Sequence, residues 1–276
     1  MKIDFQNVSF AYSKKDSLAI RNIDLSLKDN EIVFILGSTG SGKSTLIQHM
    51  NGLLYPQTGN VVIDCDGESF ILSPKLKQIK NIRRNIGLVF QNPENQLFEK
   101  NVLSDVMYGP MNFGVAENDA KTVAIESLLL VGVDNKYFEK APFDLSGGEK
   151  RKVAIAGILA CKPKTFIFDE PTSNLDKRST REFFALVNKL KDEGHMIIII
   201  SHDENLAYEY ADRVMIMSNG EIIFNGGRTD AFKDNDLLKK ANIEVPFVAK
   251  VKSELKIKDD IRTVKELAKI MRGDSL

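Results

Sequence analysis

Gly37-Ser38-Thr39-Gly40-Ser41-Gly42-Lys43-Ser44 has the spacing G-x-x-x-x-G-K-S. In such a loop, glycines let successive backbone N–H groups turn inward on phosphate oxygens, and a following helix N terminus adds its dipole. Lys43 suits the β- and γ-phosphates and the Ser44 hydroxyl suits Mg²⁺, with Thr45 the next residue in line for the nucleotide. A second candidate group is Thr165-Phe166-Ile167-Phe168-Asp169-Glu170, an apolar run ending in two acids. Asp169 suits a magnesium ion through its water shell, and Glu170 suits orienting or deprotonating an attacking water. His202 follows the apolar Ile197–Ile200 and Ser201, placed for a γ-phosphate contact, and Gln91 follows Ile86–Phe90, placed for the metal or the water. An acid pair, a histidine or an amide is weak alone, since each is usually exposed or structural. Beside a phosphate loop they read as one nucleotide-hydrolysing site. His49 and His195 lack such a context and read as structural.

These residues need elements that bring them to one edge. Ile3 and Phe5, then Ile20, Ile23, Leu25 and Leu27, fall mostly at two-residue spacing around the polar Ser13–Ser17 segment, predicting short strands. Glu31–Leu36 predicts a strand running into the glycine loop, and Ser44–Leu54 a helix stopped by Tyr55-Pro56. Asn60–Asp64 and Asn85–Phe90 predict further strands, and Asn101 to Pro142 is helical in period. Gly147–Ala160 predicts a helix, Thr165–Phe168 a buried strand, and Lys177–Lys191 a helix with Phe183, Phe184, Leu186, Val187 and Leu190 on its apolar face. Ile197–Ile200 is apolar on both faces, as in parallel sheets. Ser218-Asn219-Gly220 predicts a hairpin turn, and beyond Gly227 the pattern is helical and polar. The expectation is an α/β fold with an antiparallel portion in front and a helical tail.

Composition bounds the partners. The 276 residues carry 38 Lys+Arg and 38 Asp+Glu, a net charge of zero, which disfavours binding nucleic acid by bulk counterion release. Cys65 and Cys161 form no CxxC pair, so neither a disulfide framework nor a zinc cluster is expected. The start, Met-Lys-Ile-Asp-Phe, has no signal-peptide core, and the apolar stretches Met196–Ile200 and Val153–Cys161 fall short of the roughly 18 residues of a membrane span. A soluble cytosolic chain is expected, acting at a membrane only through partners. Lys75 to Arg84 is basic without acids; lipid headgroups or acidic partner residues are conceivable occupants, a solvated face the simpler expectation.

Leu145-Ser146-Gly147-Gly148-Glu149 resembles the LSGGQ signature of ABC ATPases, with Glu149 replacing glutamine. The resemblance implies a P-loop NTPase with a RecA-like core, an antiparallel β subdomain and a helical signature subdomain, binding ATP and Mg²⁺. It implies that Ser146, Gly147 and Gly148 close on the nucleotide of a second ATPase subunit rather than on their own. Tyr12 matches the aromatic that stacks on adenine, and Asp176 in Ser173-Asn174-Leu175-Asp176 matches the dimer-contacting D-loop, from which Asn174 departs.

Val89-Phe90-Gln91-Asn92-Pro93-Glu94-Asn95-Gln96-Leu97-Phe98 narrows the resemblance to energy-coupling-factor transporter ATPases, similar to cobalt-importer ATPases. Gln48–Leu54, Lys150–Gly157 and the tail around Val245-Pro246-Phe247-Val248 point the same way, and Pro-Thr-Ser-Asn-Leu-Asp is closer to the second of that group's two ATPases. The implied partners are a second ATPase in a heterodimer, a transmembrane coupling subunit and a substrate-binding membrane subunit. The implied activity is ATP hydrolysis by an ABC-type translocase, driving uptake of vitamins or other micronutrients from the cytoplasmic face of the cell membrane, where the chain is peripheral. The implied division is 1–240 for the ATP-binding domain, with a helical subdomain at about 92–160, and 241–276 for a C-terminal helical extension that stabilises the dimer. The alternatives are the ATPase of another ABC transporter, which the glutamine-loop sequence disfavours, and a soluble ABC-type mechanoenzyme. The latter would need a coiled-coil insertion or a second ATPase domain, and neither is present.

Overall fold

The computed structural model describes residues 1–13, 16–173, 175–257 and 259–272; Asn174 lies outside them. The strands are β1 (Lys2–Phe10), β2 (Ile20–Lys28), β3 (Ile32–Leu36), β4 (Thr58–Cys65), β5 (Glu68–Ile71), β6 (Ile86–Val89), β7 (Thr165–Asp169), β8 (Met196–Ile200), β9 (Arg213–Ser218) and β10 (Glu221–Gly227). The helices that follow the phosphate loop and run to the signature are α1 (Lys43–Met50), α2 (Ile79–Asn85), α3 (Val102–Asn112), α4 (Glu117–Leu130) and α5 (Gly147–Ala160). The rest are α6 (Lys177–Asp192), α7 (Glu204–Tyr210), α8 (Arg228–Ala231), α9 (Asn235–Ala241), α10 (Phe247–Glu254) and α11 (Val264–Arg272).

Two sheets carry the chain. One is antiparallel, in the order β2-β1-β4-β5; the other runs β10-β9-β3-β8-β7-β6 and is parallel except for the β9–β10 hairpin. Each side of the second sheet meets a different layer, because alternate side chains of a strand face opposite ways. Val33, Ile35, Ile198 and Ile200 pack with Leu46, Ile47 and Met50 of α1 and with the antiparallel sheet's Ile3, Phe5, Val61 and Ile63. Ile32, Phe34, Leu36, Ile197 and Ile199 pack on the other side with Phe183, Phe184 and Val187 of α6, Tyr208 of α7 and the tail's Val248, Ile261 and Leu267. A separate core joins α3, α4 and α5 through Val102, Val106, Leu128 and Val153. Strands buried on both faces explain why β3 and β8 read as unbroken apolar runs.

Two sequence expectations shift. The first helix stops at Met50 rather than Leu54, because Gly52, just past the cap Asn51, takes a left-handed φ of 68°. The basic stretch overlaps α2, unforeseen because seven residues with only Ile82 buried show no helical apolar period. Among the described residues, no helix is long and apolar enough to cross a membrane.

Candidate active site

The phosphate loop leaves the buried end of β3 and enters α1 at Lys43. No side chain caps the N terminus of α1, so its first N–H groups are donors without intrahelical acceptors. Gly42 has φ 103°, and a Cβ there would lie 2.6 Å from the Ala19 carbonyl oxygen, so only glycine lets the loop pass the backbone just before β2. Lys43 is buried, and its ammonium donates to the carbonyls of Gly37 at 2.7 Å and Ser38 at 2.9 Å, curling over the loop. Burial lowers the lysine's pKa, against the pull of Glu170 and Asp169. The Ser41 hydroxyl is buried without a hydrogen-bond partner among the described residues.

The acids arrive from β7. Ser44 Oγ donates to Asp169 Oδ2 at 3.4 Å, pairing the hydroxyl and the carboxylate expected at the metal. Burial raises the Asp169 carboxyl's pKa, and the Ser44 hydrogen bond and Lys43 oppose it. Glu170 then takes a left-handed backbone, φ 51°, an unfavourable conformation for a residue with a Cβ. Its N–H donates to the Ile200 carbonyl at 3.0 Å, and its own carbonyl accepts from Ser173 N at 3.2 Å and Ser173 Oγ at 2.9 Å, which hold the turn. Glu170 Oε1 lies 3.1 Å from His202 Nε2. The Glu170 carboxyl is pushed up to about 7, by burial first and then by the Asp169 charge, with Lys43 pulling down. Burial, and then Lys43, hold the His202 imidazole below its usual range.

One cavity of about 330 Å³ gathers most of the expected residues: Thr39, Gly40, Gly42, Lys43, Ser44 and Thr45 from the loop, with Tyr12, Gln91, Asp169, Glu170 and His202 around them. Gly37, Ser38 and Ser41 belong to the same loop without lining that cavity. Tyr12 lines the cavity while 60% exposed, its ring perpendicular to that of Phe10 and its hydroxyl 3.0 Å from Thr45 Oγ1. Ala19 and Ile200 also line the cavity; being apolar, they carried no sequence signal. Ordinary packing accounts for His49, which is fully buried with Nδ1 2.8 Å from the Thr45 carbonyl, and for His195, edge-on to Phe166.

The signature residues stand elsewhere. Ser146, Gly147 and Gly148 sit at the N terminus of α5, and Ser146 and Gly148 border a separate cavity of about 870 Å³ with α6 residues. Glu149 forms a capping box: its Oε2 accepts from Ser146 N at 2.8 Å and Ser146 Oγ at 2.7 Å, while its N–H donates back to Ser146 Oγ. These bonds hold its carboxyl below the usual glutamate range. The departure from glutamine therefore places a charged acceptor where the helix dipole favours one. Asp176 caps α6 through Ser179 N at 2.7 Å.

A family profile described as "ABC transporter" matches residues 20–173. The "Energy-coupling factor transporter ATP-binding protein EcfA2" of Streptococcus pyogenes serotype M5 (strain Manfredo) is 43% identical over 258 residues, covering 92% of this chain and 91% of the relative. Among solved structures, cbiO1 from Clostridium perfringens, described as part of the ABC transporter complex cbiONQ, shares 33% identity at a TM-score of 0.74, covering 91% of this chain and 98% of that one. The ATP-binding cassette MJ0796, a dimer in a post-hydrolysis state bound to ADP and Pi, shares 28% identity at a TM-score of 0.72, covering 82% of this chain and 98% of that one. The architecture is thus a P-loop ATPase with a RecA-like parallel core, an antiparallel β subdomain and a helical signature subdomain. With the profile spanning more than half of its length and the Streptococcus pyogenes relative about nine-tenths, the chain belongs to the ABC transporter ATPase family, in its branch of energy-coupling factor transporter ATP-binding proteins.

Proposed function

We propose that this chain binds ATP with Mg²⁺ and hydrolyses it as one of two ATPase subunits on the cytoplasmic face of a membrane importer for vitamins or other micronutrients. The observation that carries the reading is the convergence of Lys43, the Ser44–Asp169 pair and the Glu170–His202 pair on one cavity. The uncapped start of α1, the buried ammonium and the unpartnered Ser41 hydroxyl fit a polyanion, and a single carboxylate beside a hydroxyl fits a magnesium ion that keeps its waters. Bound magnesium would neutralise charge on the phosphates.

Lys43 and the N–H groups from Gly37 to Thr45 would hold the phosphates, with Tyr12 against the base. Ser44, Asp169 and Gln91 would hold the metal. Glu170, with a carboxyl poised near neutrality, would take the proton of the attacking water, and His202, with Nε2 3.1 Å from Glu170 Oε1, would contact the γ-phosphate. Ser146, Gly147 and Gly148, far from this cavity, would serve the nucleotide of the second subunit, and reciprocally. A bound nucleotide gripped from both sides closes the pair, and reopening after hydrolysis drives the membrane subunits. In such a complex a transmembrane coupling subunit and a substrate-binding membrane subunit are the remaining partners; cbiO1, similar over most of its length, is described as part of the ABC transporter complex cbiONQ. Residues 1–240 are proposed as the ATP-binding domain, with 92–160 as its helical part, supported by that part's separate core, and 241–276 as the extension.

The test is Glu170→Gln in the reconstituted complex with the second subunit's site disabled. Turnover should fall by at least a hundredfold with ATP affinity retained; undiminished hydrolysis would refute the assignment.

A further inference from the structure

We infer that Arg151 is a positioning residue that ties the signature segment to the two hydrolytic residues of its own subunit, an inference that rests on the roles just proposed for Gln91 and Glu170. Arg151 lies just over one turn into α5, the helix whose N terminus presents Ser146 to Gly148. It is only 9% exposed, and among the described residues no carboxylate pairs with it. Its charge is met instead by oxygens of the main chain and one hydroxyl. Nη1 donates to the carbonyls of Ser173 at 2.7 Å and Pro171 at 3.1 Å; Nη2 donates to the carbonyl of Gln91 at 3.0 Å and to Ser173 Oγ at 3.4 Å.

The acceptors are what give the contact meaning. Gln91 lines the nucleotide cavity, and its backbone oxygen is the one the guanidinium holds. Pro171 directly follows Glu170, and Ser173 closes the turn by bonding to the Glu170 carbonyl through both its N–H and its hydroxyl. One planar fork therefore fixes the end of the glutamine loop, the turn that keeps Glu170 in its left-handed conformation, and the signature helix relative to one another. A displacement of α5 by a fraction of a bond length would stretch all of these contacts together. A buried cation without an acid is a costly way to glue surfaces, and apolar packing would do that more cheaply. What the fork adds is relative geometry: a signature segment drawn toward the second subunit's nucleotide drags Gln91 and Glu170 with it. A lysine would keep the charge but could not span the two segments, because its donors radiate from a single nitrogen.

The experiment uses the complete transporter complex with the second subunit's site disabled, comparing wild type with Arg151→Lys. Hydrolysis is measured well below the melting temperature, and ATP affinity by titration with a fluorescent nucleotide. Misplacing reacting groups by about 1 Å costs up to about a hundredfold in rate. The expected result is a kcat lowered ten- to a hundredfold with ATP affinity within about threefold. A kcat within threefold of wild type, whatever the melting temperature does, overturns the inference, as does a loss of affinity matching the loss of rate. Should Arg151→Lys fail to assemble, Ser173→Ala removes only the hydroxyl between the fork and the Glu170 carbonyl; it should lower kcat three- to tenfold at constant affinity, and an unchanged kcat overturns the inference. Glu170→Gln in the same assay separates the two readings: if that variant is dead and Arg151→Lys is normal, only the tie fails, whereas full activity of Glu170→Gln removes the site assignment itself.

Discussion

Glu170 stores an electrostatic conflict in the nucleotide-free chain. Its carboxyl is raised from 4.5 to about 7, so the folded state favours the protonated form and the ionised form costs stability. Burial of the neutral acid is harmless below about pH 4.5; the cost grows between that value and about 7 and is complete above it. Glu170→Gln should therefore raise the melting temperature in metal-free, nucleotide-free protein at pH 8 and change it little at pH 4.5. After discount for solvent screening the gain is on the order of 1–2 kcal/mol. Thermal unfolding in a chelating buffer at the two pH values checks this, and an equal effect at both would show that the conflict is not electrostatic. The candidate residues were legible because each is local in sequence. The loop is eight consecutive residues, and Asp169, Glu170 and His202 each follow an apolar run that is visibly a strand. Arg151 was not legible: its acceptors lie 60 and about 20 positions away and are backbone oxygens, which no residue type announces.

At the scale of elements, α5 was readable to the residue because a capping box opens it and apolar side chains continue it, whereas α2 was missed and the first helix was drawn four residues too long. Local signals recovered what local physics decides. The exception is the stop of α1, set by Gly52 in a left-handed conformation just past the cap Asn51, a local signal that the Tyr55-Pro56 reading passed over. The capping box yields its own prediction. Glu149→Ala removes the acceptor from Ser146 and should destabilise the chain by about 0.5–1 kcal/mol, while Glu149→Gln keeps the acceptor and should cost only a few tenths. Chemical denaturation of the three proteins decides it, and equal losses for both variants would show that the cap is energetically idle. The signature's serine would then owe its orientation to packing alone.

At the scale of the whole molecule, a second buried arginine, Arg228, meets the C-terminal tail. Arg228 is buried beneath the Tyr208 ring, donates through Nη1 to the Tyr208 carbonyl, and shares its Nη2 between the two carboxylate oxygens of Asp260, which leads into the last helix. The tail's Val248, Ile261 and Leu267 join the same core as α6 and α7, so the extension is packed against the ATPase body. Its helical character was evident from the polar, apolar-spaced pattern, but its seat was not, since that is made by residues distant in sequence, the α6–α7 core and Arg228 among them. Asp260→Asn should leave the guanidinium undercompensated, lowering stability by about 1 kcal/mol given the exposed carboxylate. Limited proteolysis should cut between α10 and α11 several-fold faster; cleavage at the wild-type rate would mean that the apolar seat suffices.

The separation of the signature from the phosphate loop has a genetic consequence. If each hydrolysing centre is assembled from the loop of one subunit and the signature of the other, a loop lesion and a signature lesion in the same gene strike two centres and leave none intact. The same two lesions distributed between the genes for the two subunits can fall on a single centre and spare the other. Lesions in cis would then be more damaging than the identical pair in trans, the reverse of what two defects confined within one self-contained enzyme would show.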